Sequence, residues 1–190
     1  MGEPTLLDRR APNSAGIARA GMTFDLDPFY GVVRVQLRGA DQPLADVLGV
    51  ALPPPGRGVA DASQTVGICW TSPGEWTLLG EETAVSELVE RLRRECAGVA
   101  ALITDLGHAR AAFRLSGAGA RDALAAHCPL DFSDDVFPVT AVANSLLGEA
   151  SLLLGRRADE AGAPSYRIVV DQTMAGYAAR LFAGPGGTIA

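Results

Sequence analysis

The chain contains no lysine: all 16 basic residues are arginine, set against 22 acidic residues, for a net charge of −6. That absence excludes Schiff-base chemistry, a lysine general base and the lysine of a Walker-type phosphate loop. The acidic balance argues against a surface for nucleic acid or for anionic membrane. Histidine is scarce too, with only His108 and His127 present, so no His-x-x-x-His metal pair exists. Cysteine is limited to Cys69, Cys96 and Cys128. Their odd number, wide spacing and apolar surroundings read as buried free thiols in a reducing cytoplasm. No apolar run approaches the roughly 20 residues that span a bilayer. The opening MGEPTLLDRRAPNSAGIARAGM lacks the apolar core of a secretory signal. The expectation is a soluble, cytoplasmic protein with neither nucleic acid nor membrane as partner.

What is present is enough apolar material for a core: 48% of 190 residues, which suits one medium domain or two small joined halves. Residues 1–28 mix Pro, Gly, Asp and Arg without periodicity and read as a flexible N-terminal arm. Gly31–Leu37 reads as a strand and Pro43–Leu48 as a short helix, after which Leu52–Gly58 (LPPPGRG) breaks regular structure. Thr65–Trp70 and Glu75–Leu79 read as strands joined by a tight Pro73-Gly74 turn. Glu81–Cys96 is the clearest helix, with Val85, Leu88, Val89, Leu92 and Cys96 on one stripe. Its early glutamates and late arginines suit the helix dipole. A further strand ends near Asp105.

The second half repeats the theme. Strand 109–115, helix 119–127, strands 139–146, 149–154 and 166–170, and helix 173–183 follow in turn, with Gly148-Glu149 at a hairpin tip. The fold class read from this order is α+β, two ferredoxin-like α/β sandwich halves whose sheets associate. The implied division is an arm 1–28, a first half 29–105, a second half 106–184 and a tail 185–190.

Asp105, His108 and Ser116 have the types of a triad, yet RLSGAG lacks the Gly-x-Ser-x-Gly order of a nucleophile elbow. Ser116 reads instead as the cap of the next helix. His127, Cys128 and Asp131 have metal-ligand types, but adjacent residues near a helix end diverge by about 100°. Gly117-Ala118-Gly119 opens a helix as a dinucleotide loop does, but Asp122 stands where the third glycine belongs. No catalytic, cofactor-binding or metal residue is assigned. Trp70, Trp76, Arg110, Arg114 and Arg121 remain as candidates for a partner interface, since tryptophan and arginine dominate such contacts. Against that stands the plainer reading, in which one tryptophan packs in the core and the arginines bridge local acids.

TDLGHARAAFRLSGAGARDALAAHCPLDF, Thr104 to Phe132, resembles the gamma subunit of heterotetrameric sarcosine oxidase, a relative of the aminomethyltransferase (T-protein) fold. CWTSPGEWTLLG (Cys69–Gly80), VFPVTAVANSLLGEASLLLGRR (Val136–Arg157) and YRIVVDQTMAGYAARLF (Tyr166–Phe182) resemble further blocks of that family in the same order. The resemblance implies a T-protein-like, folate-binding-domain fold. It also implies a noncatalytic gamma chain beside alpha, beta and delta subunits. FAD, FMN, NAD and tetrahydrofolate would belong to those partners, and none to this chain alone. The complex implied demethylates sarcosine oxidatively to glycine, a one-carbon unit (formaldehyde or methylenetetrahydrofolate) and peroxide. A paralogous complex for another N-methyl amino acid, a stand-alone folate-binding aminomethyltransferase-like protein and a pure assembly chaperone are the alternatives.

Overall fold

A computed structural model describes residues 16–27, 30–39, 42–49, 51–60 and 65–184. The expected tail 185–190 and the first fifteen residues of the expected arm lie outside these. The elements in chain order are β1 (Ile17–Arg19), β2 (Met22–Leu26), β3 (Tyr30–Arg38), α1 (Gln42–Leu48), β4 (Gly58–Ala60), β5 (Val66–Ser72), β6 (Glu75–Glu81), α2 (Glu82–Glu95) and β7 (Ala100–Asp105). There follow β8 (Arg110–Ser116), α3 (Ala120–Ala125), β9 (Ala141–Leu147), β10 (Ala150–Glu160), β11 (Ala163–Asp171), a 3-10 turn at Gln172–Met174 and α4 (Ala175–Ala183).

All eleven strands join one antiparallel sheet in the order β1-β2-β8-β11-β10-β9-β4-β5-β6-β3-β7. Two separate associating sheets were expected; the structure has a single continuous one. The join is the β4–β9 pairing, only Gly58↔Val142 and Val59↔Ala141. Outward from it the two sides run in matching order, β4-β5-β6-β3-β7 and β9-β10-β11-β8-β2. Position for position they correspond, except that β2 enters the second half from the chain's beginning.

Strand alternation divides the side chains cleanly. In β3, Val33, Val35 and Leu37 face the helices α1 and α2, where they meet Leu44, Leu78, Val85, Leu88, Val89 and Leu92. The apolar stripe read from the sequence of α2 is the buried one. Arg91 Nη2 donates to the Val47 carbonyl at 2.9 Å, tying α2 to α1. In the second half Phe24, Phe113, Leu115, Leu124, Leu152, Leu154, Tyr166, Ile168 and Phe182 form a larger core under α3 and α4. The rings of Phe24 and Phe113 stack at 4.5 Å, and Phe182 lies 4.6 Å from Phe24.

The opposite, helix-free faces of the two halves curl toward each other. Val32, Cys69 and Leu79 from one meet Ala112, Val142 and Val169 from the other, with Tyr30, in a third core. The curl makes the sheet a half-barrel.

Three differences from the sequence reading have local causes. Residues 17–26, assigned to the arm, are the β1–β2 hairpin. Its two-residue turn, Ala20-Gly21, holds both residues at positive φ (48° and 74°), and alanine is a weak signal for such a turn. β4 begins at Gly58, the last residue of the LPPPGRG stretch that the sequence reads as a break in regular structure. Strand β10 continues six residues past the expected 149–154 before turning at Ala161-Gly162, again at positive φ.

Candidate functional site: the seam and its arginines

The polar residues that sequence reading singled out do not converge. His108 lies in the turn before β8 and Ser116 at that strand's far end, about 20 Å away at roughly 3.3 Å per residue. Asp105 Oδ1 accepts from the Gly107 amide at 2.7 Å, an Asx turn that leaves β7. Ser116 does not cap α3: its hydroxyl pairs with that of Thr23 at 3.0 Å, and the cap position is Gly119. Gly117 is required in the turn, because at φ +115° a Cβ would sit 2.3 Å from the Gly21 carbonyl.

His127, Cys128 and Asp131 are each engaged separately. The His127 ring meets Phe182 edge-on at 6.2 Å. Cys128 Sγ lies 3.6 Å from the Ser145 hydroxyl, and Asp131 accepts from the Ser133 amide at 2.8 Å. No group of three or more His, Cys, Asp or Glu placed to hold a metal occurs among the described residues. All three cysteines are free and buried. Burial pushes the Cys69 thiol up to about 12, which keeps it protonated and unreactive.

Trp70 and Trp76 are directly opposed across the β5–β6 hairpin. Trp76 is 3% exposed in the first-half core, with Trp70 half-buried against the same core. Gly74 takes φ +73° in the Pro73-Gly74 turn between the two strands, as the sequence indicated. Arg110 pairs with Asp171 at 2.7 Å, and Arg121 with Asp134 at 2.6 Å. Arg114 reaches Asp25 at 3.8 Å and Glu160 at 4.0 Å. Arg110 and Arg114 share the helix-free face of β8 with Ala112, while Arg121 rides on α3 at the other side. The five candidates therefore occupy three places in the fold.

What the structure does bring together, and sequence reading missed, is a buried polar group at the seam. Arg167 on β11 lies over the Tyr30 ring, 4.3 Å from its centroid, and pairs with Asp27 at 2.8 Å. Burial raises the Tyr30 phenol well above the usual range, partly offset by Arg167. On the helix side Arg156, only 4% exposed, pairs with Asp159 at 2.5 Å, donates to the carbonyls of Arg157 and Ser165, and lies over Tyr166. Opposite faces for neighbours 156 and 157 follow from the strand. The β10–β11 register shifts between Arg157 and Glu160, a bulge that bends the strand end beside these arginines. The only advance signal was alternation through Gly155–Glu160, which the charges hid. Among the described residues no helix is long and apolar enough to cross a membrane.

The chain is similar in structure to a chain of heterotetrameric sarcosine oxidase from Corynebacterium sp. U-96, solved in complex with pyrrole 2-carboxylate. The TM-score is 0.71 at 24% identity, over 85% of this chain and 81% of that one. It is also similar to aminomethyltransferase T of the glycine cleavage system of Bartonella henselae, with TM-score 0.63, 14% identity, and 87% and 46% of the two chains covered. No protein-family model and no curated protein matches the sequence. The fold is thus the one that the sequence resemblance implied, shared with a chain of a sarcosine oxidase and with the T-protein.

Proposed function

We propose that the protein is a noncatalytic, gamma-type subunit of a multisubunit amine oxidase of the sarcosine oxidase type. The single observation that carries this reading is the reciprocal coverage of the sarcosine oxidase match, 85% of this chain and 81% of the other. Most of both chains is matched there, whereas this chain spans under half of the aminomethyltransferase, 46%. The lack of lysine and the dispersal of the triad-like and metal-like residues support a role in shape rather than in bond making.

In this reading the alpha, beta and delta chains carry FAD, FMN, NAD and tetrahydrofolate. The gamma chain packs against them and helps shape the route of the one-carbon unit. The matching strand orders on either side of the seam support two ferredoxin-like halves as the architecture that does so. Trp70, Arg110, Arg114 and Arg121 keep exposed surface that can serve a partner, whereas Trp76 is buried in the core. The substrate is sarcosine or a related N-methyl amino acid.

The test is to purify the chain alone. It is expected to be colourless and to make no peroxide from sarcosine. Flavin absorbance with sarcosine-dependent peroxide would overturn the reading. Tight binding of tetrahydrofolate by the isolated chain would favour the stand-alone folate protein.

A further inference from the structure

Strand β7 is one end of the eleven-stranded sheet. Which of its backbone groups face outward follows from the ladder. The Leu106 amide donates to the Val32 carbonyl and the Leu37 amide to that of Gly74, both at 2.8 Å. Even-numbered residues of β3 therefore bond to β7 and odd-numbered ones to β6. On β7 itself Ala100, Leu102 and Thr104 bond to β3, while Ala101, Ile103 and Asp105 turn their N–H and C=O groups outward. Among the described residues none of these outward groups has a backbone partner.

This edge carries none of the devices that keep strands apart. Ala100–Thr104 has no charge, proline or bulge, and Leu102 is 58% exposed, the most of any large apolar side chain described. The opposite edge differs: β1 has three residues, and Arg19 Nη1 ties it to the Ala183 carbonyl at 2.6 Å. Charge is polarised along β7. Arg38 is exposed beside Ala100, and the chain reaches β7 from α2, whose last turn holds Arg93 and Arg94 against Glu95. Asp105, also exposed, closes the other end.

That polarity suits a second copy laid antiparallel, which sets the acidic end of each strand at the basic end of the other. A parallel copy would set Asp105 against its own equivalent, and like charges oppose that. The same test selects a register. A two-fold axis at Ile103 opposes Ile103 to its copy and Ala101 to Asp105, so every outward group of both strands is paired. An axis at Asp105 opposes two carboxylates, and one at Ala101 carries Asp105 past the strand to Ala97. With the axis at Ile103, Leu102 and its copy lie diagonally on the helix-free face, within side-chain reach.

We propose that β7 binds β7 of a second copy of this chain, antiparallel about a two-fold axis at Ile103, so that one sheet runs through both molecules. The proposal rests on the edge and not on the oxidase reading.

Sedimentation equilibrium of the full chain should show a monomer–dimer equilibrium that stops at two. Ala101→Pro removes an outward N–H and leaves the bonds to β3 in place, as edge strands allow. It should weaken the dimer at least about tenfold, because the axis repeats the loss. Leu102→Lys keeps every backbone donor and should also weaken it, by setting like charges across the axis. Mild oxidation of Ile103→Cys should give a disulfide-linked dimer. Ala101→Cys should not, since four residues, about 14 Å, separate that position from its copy along the strands. A chain that stays monomeric up to about 1 mM overturns the proposal and leaves the edge to a strand of a different protein. So does a dimer that either Ala101→Pro or Leu102→Lys leaves unchanged, or one that cross-links through Ala101→Cys rather than Ile103→Cys.

Discussion

Strand β7 ends the first half with Ala100, Ala101 and Leu102 exposed, Leu102 by 58%. The matching position in the second half is filled by β2, which carries Phe24 into the core and is itself flanked by β1. One half is continuous in sequence and leaves its edge open. The other borrows its edge from residues that precede the first half and so cannot be cut away at 105/106 intact. The halves differ in filling too: the first is chiefly aliphatic around Trp76, while the second stacks Phe24, Phe113 and Phe182. An unpaired edge is a liability unless something covers it. The borrowed hairpin is therefore a structural necessity for the second half, not an appendage.

The sharpest way to break this comparison is Phe24→Ala. Removing a fully buried ring from the hairpin should cost about 3–5 kcal/mol, read by urea unfolding. A loss below about 1 kcal/mol would mean that the second half stands without its borrowed strand. Next in size is Gly58→Val at the join, where a Cβ would lie 2.6 Å from Val142 Cβ and 2.7 Å from the Ile68 carbonyl. Overpacking there should cost about 1–3 kcal/mol and loosen the β4–β9 pairing. Both tryptophans lie in the first half, so their fluorescence reports it alone. In this variant fluorescence and circular dichroism should give separate transitions; coincident curves would show that the halves remain one cooperative unit.

Cys69 sharpens the account of the seam through pH. Its thiol is raised from 9.0 to about 12 in the folded state, so the unfolded chain loses that proton first. The stability it contributes is complete below about pH 9 and declines as pH rises toward 12, with a slope of up to about 1.4 kcal/mol per pH unit. Tyr30, also raised, adds to the decline only above about pH 10. Cys69→Ala should reduce the slope between pH 9 and 10, leaving the decline from Cys96, whose thiol is also raised by burial and by Glu95; an unchanged slope would place Cys69 in contact with water. Smallest is Arg110→Ala. The Arg110–Asp171 pair is partly exposed, so its loss should cost about 0.2–1 kcal/mol. Hydrogen bonds from Thr173 contribute more than Arg110 to lowering the Asp171 pKa, so that carboxylate should stay depressed in the variant.

The legible parts of this fold were those with long periods or strong turn residues. The α2 stripe, the Pro73-Gly74 turn and the Gly148-Glu149 tip stand where the sequence puts them. The hairpin β1–β2 was hidden because three alternating apolar residues, Met22, Phe24 and Leu26, fall below the length at which alternation is distinctive. Strand β4 is three residues long and is fixed by pairing across the seam rather than by propensity. At the candidate site the failure was topological. Nothing local connects Asp27, Tyr30, Gly155, Arg157 and Arg167; strand order alone assembles them. The Arg156–Glu160 run looked like solvated loop because a buried arginine paired to a nearby acid carries the same letters as an exposed one.

The most direct test of the functional account is affinity capture of the tagged chain from its native cell, followed by gel filtration, absorbance and mass spectrometry. The account predicts a stable complex in which this chain travels in fixed ratio with larger, yellow, flavin-bearing chains that release peroxide from an N-methyl amino acid. A chain recovered alone and oxidising sarcosine by itself, or one that elutes as a monomer with no flavoprotein attached, would contradict it.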